Sequence, residues 1–347
     1  MVAGEVIEVR DQLSGDYDVV VIGGSAAGLS GALLLARSRR SVVVIDSGAP
    51  RNAPAAGVHG LLGRDGMPPA ELLERGRAEV RGYGGDVVTG EVSGAARAAD
   101  GFEVALADGR SFRARRLLVA TGLVDKLPEI PGLRDRWGRD VLHCPYCHGW
   151  EVRDQAIGVL VTGPLSVHQA LLFRQLSDDV MVFSNGRPLA GEEAEQLAAR
   201  CISVVDGEVA SVDTAGDRLV GVRMRDGTLV RREVLAVSPR MAARAAFLAG
   251  LGLTPADHPA GVGEYLPADP AGRTDVPGVW AAGNVTDLTA HVGSAAAAGA
   301  LAAAQINADL VEEDTSRAVA AYRDPFSAAS EAIICERAMR ERRRGLM

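Results

Sequence analysis

The segment from His143 to His148 contains the residues best suited to chemistry. Its sequence, His-Cys-Pro-Tyr-Cys-His, places Cys144 and Cys147 two residues apart with a histidine on each side. A Cys-x-x-Cys pair followed by histidine is the attachment sequence of c-type haem, and it can also be half of a zinc site or a redox-active dithiol. These interpretations predict unrelated proteins, so the rest of the chain has to distinguish them.

The haem and zinc interpretations each require features that the sequence lacks. The chain has four cysteines, with Cys201 and Cys335 isolated and no second Cys-x-x-Cys. A tetrahedral zinc site uses four ligands from separated pairs, whereas the neighbours His143 and Cys144 would point apart. Haem attachment requires export, and segment 1–15 is acidic, without the apolar stretch of a signal peptide. A redox dithiol is therefore favoured over two buried, reduced cysteines, and no bound metal is expected.

The spacing of the cysteines suits thiol–disulfide exchange. Two intervening residues place both sulfurs on one helical turn, close enough to form a disulfide, and a helix N-terminus lowers the pKa of a thiol there. Pro145 fits an early helical position, since the N–H group that it lacks would have no partner. Histidine ionises near neutral pH, so His148 can take a substrate proton or hold Cys147 as the thiolate. His143 is a second candidate base, with a helix cap or a solvated side chain as alternatives.

Length and composition indicate a globular protein of two domains. The 347 residues are 47% hydrophobic and 24% charged, as is typical of chains with a large apolar core. The formal net charge of −8 argues against nucleic acid as a partner and gives no attraction to an anionic membrane. The alanine-rich stretch 295–306 is short for a bilayer span and is predicted to be a packed helix. A cytoplasmic location is expected.

A glycine-rich turn between two apolar strands predicts a dinucleotide site near the N-terminus. The strand 19–22 leads into the turn GGSAAG (23–28), a helix and a second strand that ends at Asp46. In such a βαβ unit the helix N-terminus binds a pyrophosphate, and the terminal acid accepts hydrogen bonds from a ribose. An acid there repels a 2′-phosphate, which favours FAD or NAD over NADP. Ser25 replaces the middle glycine of the motif and narrows the approach of the phosphates.

The βαβ unit occurs a second time, and this second copy matches the nucleotide-binding motif less well. Each copy continues into a β-meander with an Asp-Gly turn, over 102–122 in the first and 218–239 in the second. The motif positions of the second turn are occupied by Val161, Gly163 and Ser166. The strand that follows this second turn ends without an acid for a ribose. The second nucleotide site is therefore predicted to be incomplete.

A third motif lies late in the chain. A short strand reaches Ala281-Ala282-Gly283-Asn284, and an alanine-rich helix follows it. Small residues at such a point allow a backbone to approach a flat ring closely. A tightly packed helix with no ligand is the alternative interpretation.

Together, these motifs resemble the low-molecular-weight thioredoxin reductase family of flavoproteins. The matching parts are the GGSAAG turn with Asp46, Ala-Thr-Gly at 120–122, the Cys-x-x-Cys and the late Ala-Ala-Gly-Asn, over roughly residues 16–310. The resemblance implies an α/β fold of two Rossmann-like, FAD/NAD(P)-binding domains with three ββα layers, each with a β-meander. The implied domains are an N-terminal extension (1–15), an FAD domain in two parts (16–125 and 242–320), an inserted NAD(P)-binding-like domain with the dithiol (126–241), and a C-terminal helical tail (321–347).

The resemblance also implies which residues bind FAD. Asn284 stands where the family usually has an acid that bonds the flavin's ribityl chain, and it can make the same hydrogen bond without the charge. A homodimer is expected from the resemblance alone. The predicted FAD-binding residues are Gly23, Gly24, Ser25, Ala27, Gly28, Asp46, Ser47, Arg51, Asn52, Thr121, Gly122, Gly283, Asn284 and Ala295.

Two departures from the reductases indicate an oxidative branch. The acid that follows the Cys-x-x-Cys in thioredoxin reductases is replaced by His148, and the second nucleotide motif is incomplete. This combination is similar to the dithiol oxidases of gliotoxin, holomycin and related disulfide natural products. Those enzymes form a disulfide in a small-molecule dithiol and pass the electrons from FAD to O2, giving hydrogen peroxide. By this resemblance Cys147 is the sulfur that faces the flavin, and Cys144 is the outer sulfur that a substrate thiolate attacks.

Two other functions stay open at this level. An NADPH-dependent reductase of thioredoxin or of a small disulfide would use the same dithiol in the opposite direction. A flavin-binding redox sensor would use it without turnover. Nothing in the sequence identifies the substrate dithiol, and Cys335, in the arginine-rich tail, is given no catalytic role.

Overall fold

The chain folds into four β-sheets with flanking helices in a computed structural model, which describes residues 15–324 and 327–343. The strands are β1 (Asp16–Ile22), β2 (Val42–Asp46), β3 (Asp86–Thr89), β4 (Val92–Ala98), β5 (Gly101–Leu106), β6 (Ser111–Val119), β7 (Leu123–Lys126), β8 (Val141–Leu142), β9 (Ile157–Leu160), β10 (Val180–Phe183), β11 (Ser203–Val205), β12 (Val209–Ala215), β13 (Arg218–Met224), β14 (Leu229–Val230), β15 (Val234–Val237), β16 (Arg240–Ala243), β17 (Ala256–Asp257), β18 (Gly263–Tyr265) and β19 (Val279–Ala281). The helices are α1 (Ala26–Arg37), α2 (Pro69–Gly82), α3 (Pro145–His148), α4 (Ser166–Phe173), α5 (Gly191–Ala199), α6 (Val292–Arg323) and α7 (Ala328–Arg343).

The first sheet combines a parallel core with an antiparallel meander. Strands β3, β2, β1, β6 and β19 are parallel, while β5 and β4 pair antiparallel beyond the first half of β6. Strands β1, β2 and β19 of the parallel core are almost entirely buried, as continuous apolar runs require. Val19 and Val21 pack on the helices, whereas Val20 and Ile22 pack toward the meander. The result is the predicted three-layer ββα arrangement.

The second unit repeats this plan with an all-parallel sheet. Strands β11, β10, β9, β15 and β8 are parallel in that order, and β12, β13 and β14 form a separate antiparallel meander. Strand β9 is fully buried, because helices cover one face and the meander side covers the other. The prediction of two Rossmann-like units, each with a meander, is confirmed.

The chain crosses between the two units at two adjacent strands. Strand β7 pairs antiparallel with β16, and the Thr121 hydroxyl donates a 2.6 Å hydrogen bond to the Arg244 carbonyl. The predicted domain boundaries at 125/126 and 241/242 fall within these paired strands. The predicted N-terminal extension (1–15) lies outside the described residues except for Gly15. Within the predicted tail (321–347), α6 ends at Arg323 and α7 follows.

Helix α6 is the predicted alanine-rich helix, and it packs closely on α1. Its buried face consists of Ala295, Gly299, Ala302, Ala303, Ile306 and Leu310. A Cβ added at Gly299 would lie 1.9 Å from the Ala27 carbonyl oxygen, so the two backbones meet only because this position has no side chain. Across the described ranges, no helix is both long enough and apolar enough to cross a bilayer.

Gly299→Ala is expected to lower the free energy of unfolding by about 1–3 kcal/mol, because the added methyl forces α6 away from α1. The matched control is Gly82→Ala at the end of α2, where a Cβ meets no atom within 4 Å. This control should be neutral or slightly stabilising, since alanine is the better helix former. Urea unfolding followed by circular dichroism measures both variants, and equal midpoints would contradict the predicted difference.

Candidate dithiol and flavin site

The short helix α3 holds the two cysteines of the Cys-x-x-Cys pair. Cys144 is the N-cap, and its Sγ accepts a 3.2 Å hydrogen bond from the backbone N–H of Cys147. Pro145 takes the first helical position, as predicted, because no helical hydrogen bond needs its missing N–H. Both sulfurs therefore lie on one turn, and both cysteines are partly buried. The spacing prediction for a dithiol agrees with this geometry.

Gln169, in the second unit, holds the residue that precedes the N-cap of α3. Its side-chain N–H donates a 2.6 Å hydrogen bond to the His143 carbonyl, and its Oε1 accepts a 3.2 Å bond from the Ser238 hydroxyl. Gln169 is buried on α4, so both bonds are shielded from water. This residue joins the dithiol segment to the end of β15.

His291, which the sequence analysis missed, lies beside the dithiol. It is the N-cap of α6 in the first unit, and its Nε2 is 3.7 Å from Cys144 Sγ. The ligand atoms of Cys144, Cys147 and His291 all lie within 4.8 Å of one another. The described residues thus supply three such atoms here, one fewer than a closed tetrahedral zinc site needs. No local sequence signal marked this histidine, since it is distant in the chain from the cysteines.

The two thiols have opposite acidities. The pKa of Cys144 is lowered to about 6, first by the hydrogen bond with Cys147 and further by the charge of His291. The pKa of Cys147 is raised by that same hydrogen bond and by burial, while the positive Arg51 partly offsets this. Cys144 is therefore the more acidic thiol of the reduced pair.

The two histidines predicted as bases are both held in surroundings that favour the neutral ring. Burial lowers the pKa of His148, with His59 lowering it further and Glu151 opposing. Burial also lowers the pKa of His143 to about 4, and the nearby Arg51 adds to the effect. The Nε2 of His148 is buried without a hydrogen-bond partner among the described residues. Their roles as catalytic bases stay predictions.

Arg51 belongs to this site through an ion pair. Its guanidinium makes bonds of 2.7 and 2.8 Å to the two carboxylate oxygens of Asp125. Asp125 is buried on β7, so the arginine is fixed where its charge acts on Cys147 and His143. Arg51 was predicted to bind FAD, which stays a prediction, and in the structure its charge acts on the dithiol segment.

The first βαβ turn has the shape of a phosphate cradle. Gly23 has φ +107°, and a Cβ there would lie 2.3 Å from the Ala120 carbonyl oxygen. A Cβ at Gly28 would lie 1.8 Å from the Gly23 oxygen. Helix α1 starts after Ser25 without a side-chain cap among the described residues, which leaves its first N–H groups available to an anion.

The predicted ribose acid lies at the end of β2, next to this turn. A Cβ at Gly24 would meet the Asp46 side chain at 2.7 Å, so the turn passes directly over the carboxylate. Arg77 on α2 donates a 3.2 Å hydrogen bond to Asp46 Oδ2, and the Gly48 N–H contacts Oδ1 at 3.3 Å. A ribose hydroxyl here would share the carboxylate with Arg77.

Asn284 donates hydrogen bonds that the acid usual at this position could not make. Its Nδ2 donates to the Asp287 carbonyl at 3.0 Å and to the Ala290 carbonyl at 2.9 Å. A carboxylate could make neither bond because it has no donor. The role of Asn284 toward the ribityl chain stays a prediction, with Oδ1 as the atom not used in these bonds. The amide fixes the loop that ends at His291.

The remaining predicted cofactor residues lie where parallel strands end and α1 and α6 begin. Gly283 has φ +78°, and a Cβ there would lie 2.8 Å from Ala27 Cβ and 3.7 Å from Ala295 Cβ. Ser47, Arg51 and Asn52 follow β2, and Thr121 and Gly122 follow β6. The carboxyl edge of a parallel sheet is where doubly wound folds bind ligands, so the predicted set converges on one edge.

Comparison with known proteins agrees with this geometry. Residues 17–304 match the pyridine nucleotide-disulphide oxidoreductase family. The chain belongs to this family. The prediction of an oxidoreductase that acts on sulfur groups is therefore confirmed, and so is the resemblance to thioredoxin reductase-like flavoproteins.

Individual family members cover most of the chain. Thioredoxin reductase tcpT of Claviceps purpurea is 34% identical over 316 residues, which make up 84% of this chain and 95% of that relative. Thioredoxin reductase sirT of Leptosphaeria maculans is 29% identical over 309 residues, covering 84% and 93%. The crystal structure of HlmI has 49% identity and a TM-score of 0.84, over 90% of this chain and 98% of HlmI.

When this protein is reduced, Cys144 should react with iodoacetamide. The reaction rate should depend on pH, with a midpoint near the pKa of about 6. The rate falls below this pH, because the reactive thiolate becomes protonated. Cys147 should react more slowly because it keeps its proton. Anaerobic alkylation followed by peptide mass spectrometry measures both sites. Faster labelling of Cys147, or a midpoint at the usual thiol value of about 8.5, would contradict the assignment.

Proposed function

We propose that this protein is an FAD-dependent dithiol oxidase that closes an intramolecular disulfide in a small-molecule dithiol. Cys144 and Cys147 exchange with the substrate, and O2 is the final acceptor, giving hydrogen peroxide. The observation that supports this direction of the reaction is that the amides of the second nucleotide turn are hydrogen-bonded to Ser166. A cytoplasmic location and a homodimer stay predictions of the sequence and of the resemblance.

The amide groups of the second nucleotide turn are hydrogen-bonded to a serine of the same turn. Ser166 stands at the third glycine position of this turn, and its Oγ accepts hydrogen bonds from the backbone N–H groups of Thr162 at 3.1 Å and Gly163 at 3.2 Å. The residues of the first turn that correspond to the donors Thr162 and Gly163 are Gly24 and Ser25, and Gly28 corresponds to Ser166. Turn amides that bind their own serine are not available to phosphate oxygens. This supports a dithiol that receives its electrons from the substrate rather than from NADPH.

The first turn fits FAD. It has the close backbone approaches at Gly23 and Gly28 that a pyrophosphate requires, together with an acid at the end of β2 and a helix without a side-chain cap. The small residues Gly283 and Ala295 line the neighbouring edge where a flat ring would lie. When bound there, FAD supplies the electron acceptor that links the dithiol to O2.

The protein's own residues perform the exchange in two steps. The substrate thiolate attacks Cys144 Sγ, the Cys144–Cys147 bond breaks, and Cys147 leaves with the electron pair as a thiolate, which then takes the proton of the second substrate thiol. The second substrate thiolate then attacks the substrate sulfur of the mixed disulfide, which releases Cys144 as a thiolate. A low pKa of Cys144 makes it a good leaving group in this second step.

The exposed surroundings of α3 suit an organic dithiol with apolar surface. Tyr146 on α3 and Trp150 just after it are both 66% exposed. Arg153 lies over the Trp150 ring at 4.3 Å. Aromatic side chains of this kind bind planar or apolar ligands by contact with their faces.

A second candidate function is an NADPH-dependent reductase of thioredoxin or of a small disulfide. The observation in its favour is that relatives such as tcpT and sirT are named thioredoxin reductases. The two functions differ in the source of the electrons, so one pair of experiments separates them.

The purified flavoprotein should lose its visible absorption anaerobically when mixed with a small dithiol and should keep it when mixed with NADPH. Admission of air should restore the absorption and produce hydrogen peroxide. The physical reason is that the turn amides of the second nucleotide site are already bonded to Ser166. Rapid bleaching by NADPH would instead establish the reductase.

The variants Cys144→Ser and Cys147→Ser should each lower the rate of bleaching by the dithiol by at least about 100-fold, since each removes one half of the exchange pair. The matched control is Cys201→Ser, because Cys201 is an exposed cysteine outside α3. Stopped-flow absorbance measures all three variants. Bleaching that survives in either active-site variant would show that the dithiol is not on the path to the flavin.

A further inference from the structure

His291 joins the dithiol to the other unit of the protein. It lies outside the inserted segment that carries Cys144, yet its Nε2 is 3.7 Å from Cys144 Sγ, within the range of a hydrogen bond to sulfur. The Tyr146 ring lies against the imidazole with a centroid distance of 5.8 Å. Neither His143 nor His148 makes a hydrogen bond to a cysteine sulfur among the described residues.

The surrounding loop holds this histidine in place. Asn284 donates to the carbonyls of Asp287 and Ala290, the latter being the residue directly before His291. The Ser294 hydroxyl donates a 3.0 Å bond to the His291 carbonyl. The side chain itself is exposed, so a substrate thiol and water can both reach its nitrogen.

We propose that His291 is the acid–base residue of Cys144, a role that rests on the proposed dithiol chemistry. His291 takes the proton from the attacking substrate thiol and then pairs, as imidazolium, with the Cys144 thiolate that the second step releases. The geometry that carries this proposal is the contact between Nε2 and Sγ across the two units. The dithiol on α3 therefore receives its acid–base residue from the start of α6, in the other unit.

The proton and electron balance is closed within these residues. Two substrate thiols lose two protons and two electrons and form one disulfide. The electron pair enters the Cys144–Cys147 bond, which breaks to leave Cys147 as a thiol and Cys144 as a thiolate. One proton is then on Cys147 and the other on His291, next to the thiolate.

The charged and titratable groups around this pair come from three elements. Cys147 and Tyr146 face it from α3, and Arg51, in the loop after β2, acts on it through Cys147. Arg51 is itself neutralised in part by Asp125. None of these groups is a stronger proton acceptor toward a substrate thiol at neutral pH than an accessible imidazole.

The test is a single anaerobic turnover of the holoenzyme with dithiothreitol, stopped with acid. Chromatography then measures the oxidised dithiothreitol formed, whatever the flavin does afterwards. At about pH 7, His291→Gln should lower this rate by about 100-fold, the usual size of a general-base contribution. The rate of the variant should rise by about tenfold per pH unit and approach the wild type at about pH 9.5, because dithiothreitol then ionises without help.

His168→Gln is the matched control, since His168 is an exposed histidine on α4; it should leave the rate unchanged at both pH values. A His291→Gln rate equal to the wild type at about pH 7 would overturn the proposal. So would a loss of equal size at neutral and alkaline pH, which would mark a purely structural residue.

Two further measurements separate this proposal from the proposed function. His291→Gln should shift the iodoacetamide midpoint of Cys144 to higher pH, because the positive charge beside the thiolate is removed; an unchanged midpoint would overturn the contact. Asn284→Asp, which loses both loop hydrogen bonds, should lower the neutral-pH rate in the same direction. If NADPH rather than the dithiol bleaches the flavin, the oxidase proposal fails while these exchange measurements still decide the role of His291.

Discussion

The close contact between α1 and α6 is the constraint on which the rest of the first unit depends. Gly299 lies against the Ala27 carbonyl, where any larger residue would collide with backbone. This contact brings the starts of both helices to the same edge of the parallel sheet, with Gly283 between them. The start of α1 has no side-chain cap among the described residues, and the start of α6 has His291 as its N-cap. A contact between small residues therefore sets the relative position of these two helix starts.

The dithiol itself is polarised by its surroundings. The hydrogen bond between the sulfurs lowers the pKa of Cys144 and raises that of Cys147, so the two thiols differ in acidity before any substrate arrives. Two positive charges act on the pair in different directions: His291 on α6 lowers the pKa of Cys144 further, whereas Arg51 in the loop after β2 partly offsets the raised pKa of Cys147. Since both partners belong to the first unit, the electrostatics of the dithiol depend on how the two units meet.

The two copies of the nucleotide plan have diverged by small changes. The two turns begin with the same strand hydrogen bond, made by the N–H of Gly23 in the first and of Val161 in the second, but of these two residues Gly23 alone has a positive φ, of +107°. A further difference is that the Ser166 hydroxyl accepts hydrogen bonds from two amides of its own turn. The amides of the second turn are thus bonded to a side chain of that turn, and the second unit carries the dithiol and supports α3 through Gln169.

The sequence by itself determined the fold class, the two copies of the plan and the identity of the dithiol. These features depend on local patterns: valine-rich strands, a glycine turn that leads into a helix, and two cysteines on one turn. The sequence analysis proposed His143 and His148 as bases because they flank the cysteines in the chain, and those roles stay predictions. Only the tertiary structure placed His291 beside Cys144, because contacts between residues so distant in the chain follow from packing and leave no local spacing to detect.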